Sequence, residues 1–176
     1  MSVKLERIRK RVGDFELRDV NLSVEKGEYF VILGPIGAGK TLLLQIVAGF
    51  LRPDEGRVFL DGEDITDLPP EKRRIGYVPQ HYGLFPHMTV EENVAFGLKM
   101  RKVERREIEE KVGEVLKLLD IDHLKDRYPE TLSGGERRKV ALARAMVVEP
   151  SVYLLDEPLT GVDPREKEKF CLLYTS

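Results

Sequence analysis

"EYFVILGPIGAGKTLLLQIVAGF", residues 28–50, decides the fold. Its first six residues form an apolar run of strand length, and "TLLLQIVAGF" is apolar nearly all round, as a buried helix is. Between them "GPIGAGKT", Gly34 to Thr41, has the form G-x-x-x-x-G-K-[ST]. The stretch therefore predicts a buried strand, a glycine loop and a buried helix in succession. Gly34, Gly37 and Gly39 let the backbone curl until successive N–H groups face one point, with Pro35, Ile36 and Ala38 completing the ring. The helix N-terminus behind adds positive potential, so the loop is a cradle for phosphate. Lys40 reaches the β- and γ-phosphates as a point charge, and the Thr41 hydroxyl is a ligand for Mg²⁺.

Outward from this stretch, strand-like and helix-like segments alternate as a layered α/β protein requires. "FELRDVNLSV" (15–24), "GRVFLDG" (56–62), "RIGYVP" (74–79) and "SVYLLD" (151–156) read as strands, and "DITDLPPEKRR" as a loop broken by Pro69 and Pro70. Thr89 with Glu92 forms a capping box that opens "VEENVAFGLKM", and Ile108, Val112, Val115, Leu116 and Leu119 continue a helical stripe. Residues from about 84 to 132 are expected to form a helical insert within a single domain. A helix is expected from 134 to about 148, and another beginning at Asp163 with Pro164 in its first position. The 176 residues carry 29 basic and 31 acidic side chains, a net charge of -2, so no bulk field draws the chain to nucleic acid. The apolar runs fall short of the ~20 residues that span a bilayer. One cysteine, Cys171, precludes an internal disulfide and fits a reducing compartment.

Two further motifs carry chemistry. "VYLLDEP" (152–158) ends an apolar strand in Asp156, a carboxylate suited to Mg²⁺, and Glu157, which can accept a proton from an attacking water. "LSGGE" (132–136) sets Ser133 and Glu136 as a second capping box around Gly134 and Gly135, leaving a bare first turn that a phosphate can approach. With "RRKVALARAMVVEPSVYLLDEP" behind it, this stretch resembles the signature and acidic-strand region of ATP-binding cassette proteins, and the resemblance covers about residues 4–169. "LPPEKRRIGYVPQHYGLFPHMTVEENVAFGL" and "DRYPETLSGGE" are similar to the ATPase subunits of binding-protein-dependent importers, closest to the molybdate/tungstate group.

The resemblance implies an α/β fold: a RecA-like P-loop NTPase core with an antiparallel β subdomain and a helical insert, incomplete at the C-terminus. It implies ATP and Mg²⁺ as ligands and a head-to-tail homodimer in which the Ser133–Glu136 signature of one subunit closes over nucleotide on the other's loop. It places Gln80 at the position that touches Mg²⁺ or the attacking water, Asp163 at a second subunit-facing loop, and Val12 where an adenine-stacking aromatic usually stands, with Phe15 nearby. It makes Tyr82 to Met88, including exposed Leu84, Phe85 and Met88, a groove for a membrane permease subunit, and links the chain indirectly to a substrate-binding protein. The expected place is the cytoplasmic face of a membrane, peripherally attached. A nucleotide-binding regulatory module, or a non-transport cassette ATPase without efficient hydrolysis, is the alternative. Beyond "PREKEKF" the charged pattern stops, and "CLLYTS" reads as a foreign ending on a chain that lacks the family's later strand and its γ-phosphate histidine. A chain so shortened is expected to aggregate readily and to turn over little ATP.

Overall fold

The hairpin that begins the chain shows why alternation alone does not reveal every strand. In the computed structural model, which describes residues 2–157, β1 (Val3–Val12) and β2 (Phe15–Val24) pair antiparallel. Val3, Leu5 and Ile8 of β1 are all buried although Ile8 is out of phase with the other two. The ladder slips between Leu5 and Ile8, where Arg7 sits at φ 48° and donates its amide to Asn21 Oδ1 at 2.9 Å. A bulge thus returns Ile8 to the core face, and hides β1 from a period-two reading.

The described residues fall into two units, residues 2–75 and 76–157. In the first, β1 also pairs antiparallel with β3 (Glu55–Leu60), and β3 with the two-residue β4 (Glu63–Asp64), giving the order β2-β1-β3-β4. Leu17, Val58, Leu60 and Ile65 join the buried residues of β1. Helix α1 (Lys40–Ala48) follows the glycine loop and buries Leu43, Ile46, Val47 and Ala48. Its C-terminus is closed from outside the helix. Arg73, only 2% exposed, donates to Ile46 O (2.8 Å), Val47 O (2.9 Å), Thr66 O (2.8 Å) and Leu68 O (2.7 Å). Burial lowers the pKa of its guanidinium, opposed by the nearby Asp67 charge, but arginine stays ionised in proteins. Gly49, at φ 88°, must be glycine, because a Cβ there would lie 2.5 Å from Arg73 Nε.

The expected strand "EYFVIL" is not one. Residues 28–33 have no ladder partner in either sheet, and Tyr29 (51%) and Leu33 (87%) are exposed rather than buried. An apolar run becomes a buried strand only where neighbours supply hydrogen bonds at its edges, and no described strand does so. The loop expected at 64–74 also contains β4's last residue and a 3₁₀ turn at Pro70–Lys72.

In the second unit, β5 (Ile75–Val78) pairs with β6 (Val152–Leu155), as a two-stranded sheet. Helices α2 (Val90–Met100), α3 (Arg105–Leu118) and α4 (Gly134–Met146) pack on one another, and α2 and α3 lie within the interval read as an insert. Val94, Leu98, Val112, Leu116, Val140 and Leu142 are buried in these helices. Leu84, Phe85 and Met88 are half-buried, not exposed as the sequence reading expects. Both capping boxes, Thr89 with Glu92 and Ser133 with Glu136, are present as the sequence predicts.

Replacing Arg73 with alanine removes donors from four carbonyls in an apolar setting, so it should cost about 3 kcal/mol or more in urea unfolding. Arg73→Lys, which keeps the charge but cannot span the same carbonyls, should fall between the variant and the parent.

Candidate functional site

In the first unit, the glycine loop leads directly into α1. Gly37 (φ 83°) and Gly39 (φ 87°) are left-handed, and α1 begins at Gly39 with no side-chain cap. Uncapped N–H groups and the helix dipole therefore face the loop, the arrangement that attracts an anion. Lys40 folds over this loop, and Nζ donates to Gly34 O and Pro35 O, both at 2.9 Å. Its positive charge is thus held within the curl. Thr41 is exposed beside it, with Gly34, Ile36 and Ala38 also open to solvent. A Cβ on Gly39 would stand 2.7 Å from the Phe15 ring and 2.8 Å from Leu17 Cδ2, so the tip of the first hairpin packs directly on the loop. Val12 is the hairpin partner of Phe15, and both side chains are exposed. The Phe15–Gly39 contact is one that sequence spacing could not disclose.

In the second unit, β6 delivers its acidic pair into different surroundings. Asp156 is 4% exposed; its amide donates to Val78 O at 3.0 Å, and Tyr77 donates its hydroxyl to Asp156 Oδ2 at 3.3 Å. Glu157 is half-buried at φ 50°, a left-handed position strained for a non-glycine residue. Gln80 Nε2 donates to Glu157 Oε2 at 2.9 Å, uniting two residues 77 apart in sequence. That bond fixes one carboxylate oxygen of Glu157 as an acceptor. Tyr77 has no distinguishing signal in the sequence, because only its hydroxyl, on an otherwise strand-forming residue, reaches the carboxylate.

The N-terminus of α4 is the third element. Ser133 N donates to Glu136 Oε2 at 2.7 Å, and Glu136 N donates to Ser133 Oγ at 3.3 Å. The backbone bond from Ser133, followed by its side-chain bond, holds the Glu136 pKa below its ordinary value. Gly134 and Gly135 are exposed, and a Cβ on either would meet nothing within 4 Å. Packing in this unit therefore does not require glycine there. Asp163 lies outside the described residues.

A glycine loop with lysine and threonine heading a helix, an acidic pair closing a strand and a glycine-bare capped helix define an ATP-binding cassette. The ABC transporter family model matches residues 17–160, and the chain belongs to that family. The fold agrees with the dimeric cassette MJ0796 in a post-hydrolysis state bound to ADP and Pi, at TM-score 0.87 and 33% identity over 97% of this chain and 80% of that one. Among curated proteins, the molybdate/tungstate import ATP-binding protein WtpC of Thermococcus kodakarensis is 59% identical over 163 residues, and that of Pyrococcus abyssi 54% over 168. The match takes in 93% and 96% of this chain, respectively, and 49% of each relative. The sulfate/thiosulfate import ATP-binding protein CysA of Bacillus cereus (strain ATCC 10987 / NRS 248) is 49% identical over 174 residues, again covering 49% of that protein. The chain thus spans about half the length of the curated relatives it matches.

Two outcomes follow from this geometry. Gly39→Ala forces a Cβ onto Phe15 at a positive φ, and should lower stability by about 1–3 kcal/mol and abolish binding of a fluorescent ATP analogue. The lowered pKa of Glu136 contributes stability that is present above the 4.5 of a free glutamate and lost as pH falls through the folded value. Ser133→Ala should cost about 1 kcal/mol near neutral pH, and Glu136→Gln, which removes the titrating group, should flatten the acid limb of a pH-dependent melting series.

Proposed function

We propose that this chain is the nucleotide-binding part of an importer ATPase, binding Mg·ATP and hydrolysing it to drive a membrane permease, with molybdate or tungstate as the cargo. The Gln80–Glu157 hydrogen bond carries the catalytic reading, since it presents an oriented carboxylate at the end of the acidic strand. Loop amides and Lys40 bind the β- and γ-phosphates; the Gly34, Pro35, Ile36, Gly37, Ala38, Gly39 and Thr41 segment supplies the cradle. Val12 and Phe15 provide apolar contact for adenine. Thr41, Gln80 and Asp156 offer hydroxyl, amide and carboxylate oxygens, a donor set of the hard kind that Mg²⁺ prefers. The ion, when bound, neutralises charge on the phosphates. Glu157 takes the proton of the attacking water, and Gln80 keeps that carboxylate aligned.

Signature residues Ser133, Gly134, Gly135 and Glu136, with Asp163, belong to the same nucleotide site through a second, head-to-tail copy of the chain. Two glycines in the first turn of α4 cost about 1 kcal/mol each against alanine, and their open surroundings leave that cost without an internal reason. Close approach of a phosphate supplies one. Residues 84–132 serve as the helical subdomain, and the 82–88 segment meets the permease. No helix among the described residues is long and apolar enough to cross a membrane. The cargo assignment rests on the WtpC relatives, and cargo is chosen by a separate binding protein.

In the full-length protein, Glu157→Gln should keep ATP binding while slowing hydrolysis by about 10²–10⁴-fold, read by a phosphate-release assay. Unchanged turnover would exclude Glu157 as the base. Gly135→Ala should raise thermal stability by up to about 1 kcal/mol while weakening the ATP-dependent dimer seen by light scattering.

A further inference from the structure

The tip of the first hairpin forms a wall behind the glycine loop. Val12 and Phe15 are ladder partners, so Gly13 and Asp14 alone make the turn between β1 and β2, with Gly13 left-handed at φ 57°. Phe15 and Leu17 stand two apart on β2 and therefore share a face. That face meets Gly39: a Cβ there would lie 2.7 Å from Phe15 Cζ, 2.9 Å from Phe15 Cε1 and 2.8 Å from Leu17 Cδ2. Among the described residues, the other loop glycines have no such neighbour. A Cβ on Gly37 would meet nothing within 4 Å, and one on Gly34 would meet only Ala38 of the loop itself.

The hairpin is in turn fixed to the sheet. Asp54, just before β3, accepts from Arg11 N at 2.8 Å and from Lys10 Nζ at 2.7 Å, and its own amide donates to Arg9 O at 2.8 Å. Arg9 pairs with Glu16 of β2 at 3.0 Å and with Glu55 of β3 at 3.2 Å. Exposed ion pairs add little stability each, but the two bonds made by backbone N–H groups hold the main chain of β1 close to the tip. Phe15 is thus presented to Gly39 from a fixed strand.

Glycine explores conformations closed to other residues, so a loop with three of them is costly to order around a phosphate. Lys40 restrains the loop from inside through Gly34 O and Pro35 O. With three N–H groups, its ammonium gives up at least one of those carbonyls to reach two phosphates. Phe15 and Leu17 restrain the loop from the side on which a Cβ of Gly39 would project, and that restraint uses no phosphate-binding group.

We propose that Phe15 is a positioning residue for phosphate binding: its ring edge holds Gly39 in the left-handed conformation that opens α1 and completes the cradle, before nucleotide arrives. Preorganisation of this kind lowers the cost of binding without any contact to the ligand. The proposal rests on the reading of the Gly34–Thr41 loop as the phosphate site. It gives Phe15 a part in holding the triphosphate, distinct from apolar contact with adenine, which concerns the base alone.

Equilibrium binding of Mg·ATP and of inorganic tripolyphosphate with Mg²⁺, measured by calorimetry on the full-length Glu157→Gln protein, separates the two roles. Phe15→Val keeps a strand-forming apolar residue but falls short of Gly39, whereas Phe15→Tyr keeps the ring and adds a hydroxyl at Cζ, the atom nearest Gly39. Each should weaken tripolyphosphate by about tenfold or more, and weaken ATP as well. Without ligand, the Leu43 amide, which donates to Gly39 O at 2.9 Å, should exchange about tenfold faster in both variants, while the β1 and β3 amides keep their protection. Unchanged tripolyphosphate binding in either variant overturns the proposal, and a loss confined to ATP with Phe15→Val makes the ring a base contact instead. Weaker binding accompanied by faster exchange throughout β1 and β3 marks general destabilisation and overturns it too. A parent that binds ATP but not tripolyphosphate does the same, whereas one that binds neither overturns the phosphate-site reading of the loop. Should Phe15→Val fail to fold, Phe15→Tyr decides by the same two readings.

Discussion

Four main-chain carbonyls bound to Arg73 secure the C-terminal end of the helix that follows the glycine loop. Helix α1 has only nine residues, and its N-terminus carries no side-chain cap. A helix so short, left bare at one end, is marginal unless the other end is secured. Arg73 secures it by joining Ile46 O and Val47 O to the Thr66–Leu68 loop. Gly49 follows as a necessity, since any side chain there would occupy the space of the guanidinium. Buried charge is normally costly, and here carbonyl dipoles offset it without a bonded carboxylate partner.

The second unit uses α4 for two purposes. One end is an exposed, glycine-bare turn stabilised by reciprocal Ser133–Glu136 bonds, and the body carries Arg138 and Arg144 toward the Tyr82–Gly83 turn. Glycine lowers helix stability at both Gly134 and Gly135. Glu157 also holds a left-handed backbone conformation, strained for a residue other than glycine.

Local chemistry was legible wherever one short motif contains its own physical reason. The Gly34–Thr41 loop, the two capping boxes and the acidic pair Asp156–Glu157 are of this kind, because glycine freedom, cap geometry and carboxylate chemistry act over at most a few residues. Strand β1 escaped because its bulge at Arg7 breaks the alternation, and "EYFVIL" misled because apolar composition says nothing about whether a neighbouring strand is present.

The sequence by itself determined the family, since its motifs are patterns of fixed short spacing. Only the tertiary structure decided that Gln80 bonds Glu157, that Tyr77 bonds Asp156, that Phe15 packs on Gly39 and that Arg73 caps α1. Each of those contacts joins residues 24 to 79 positions apart, through side chains whose partners are set by the path of the backbone. An arginine in a loop and a tyrosine in a strand have many possible partners along a chain, and folding leaves each with those within hydrogen-bond reach.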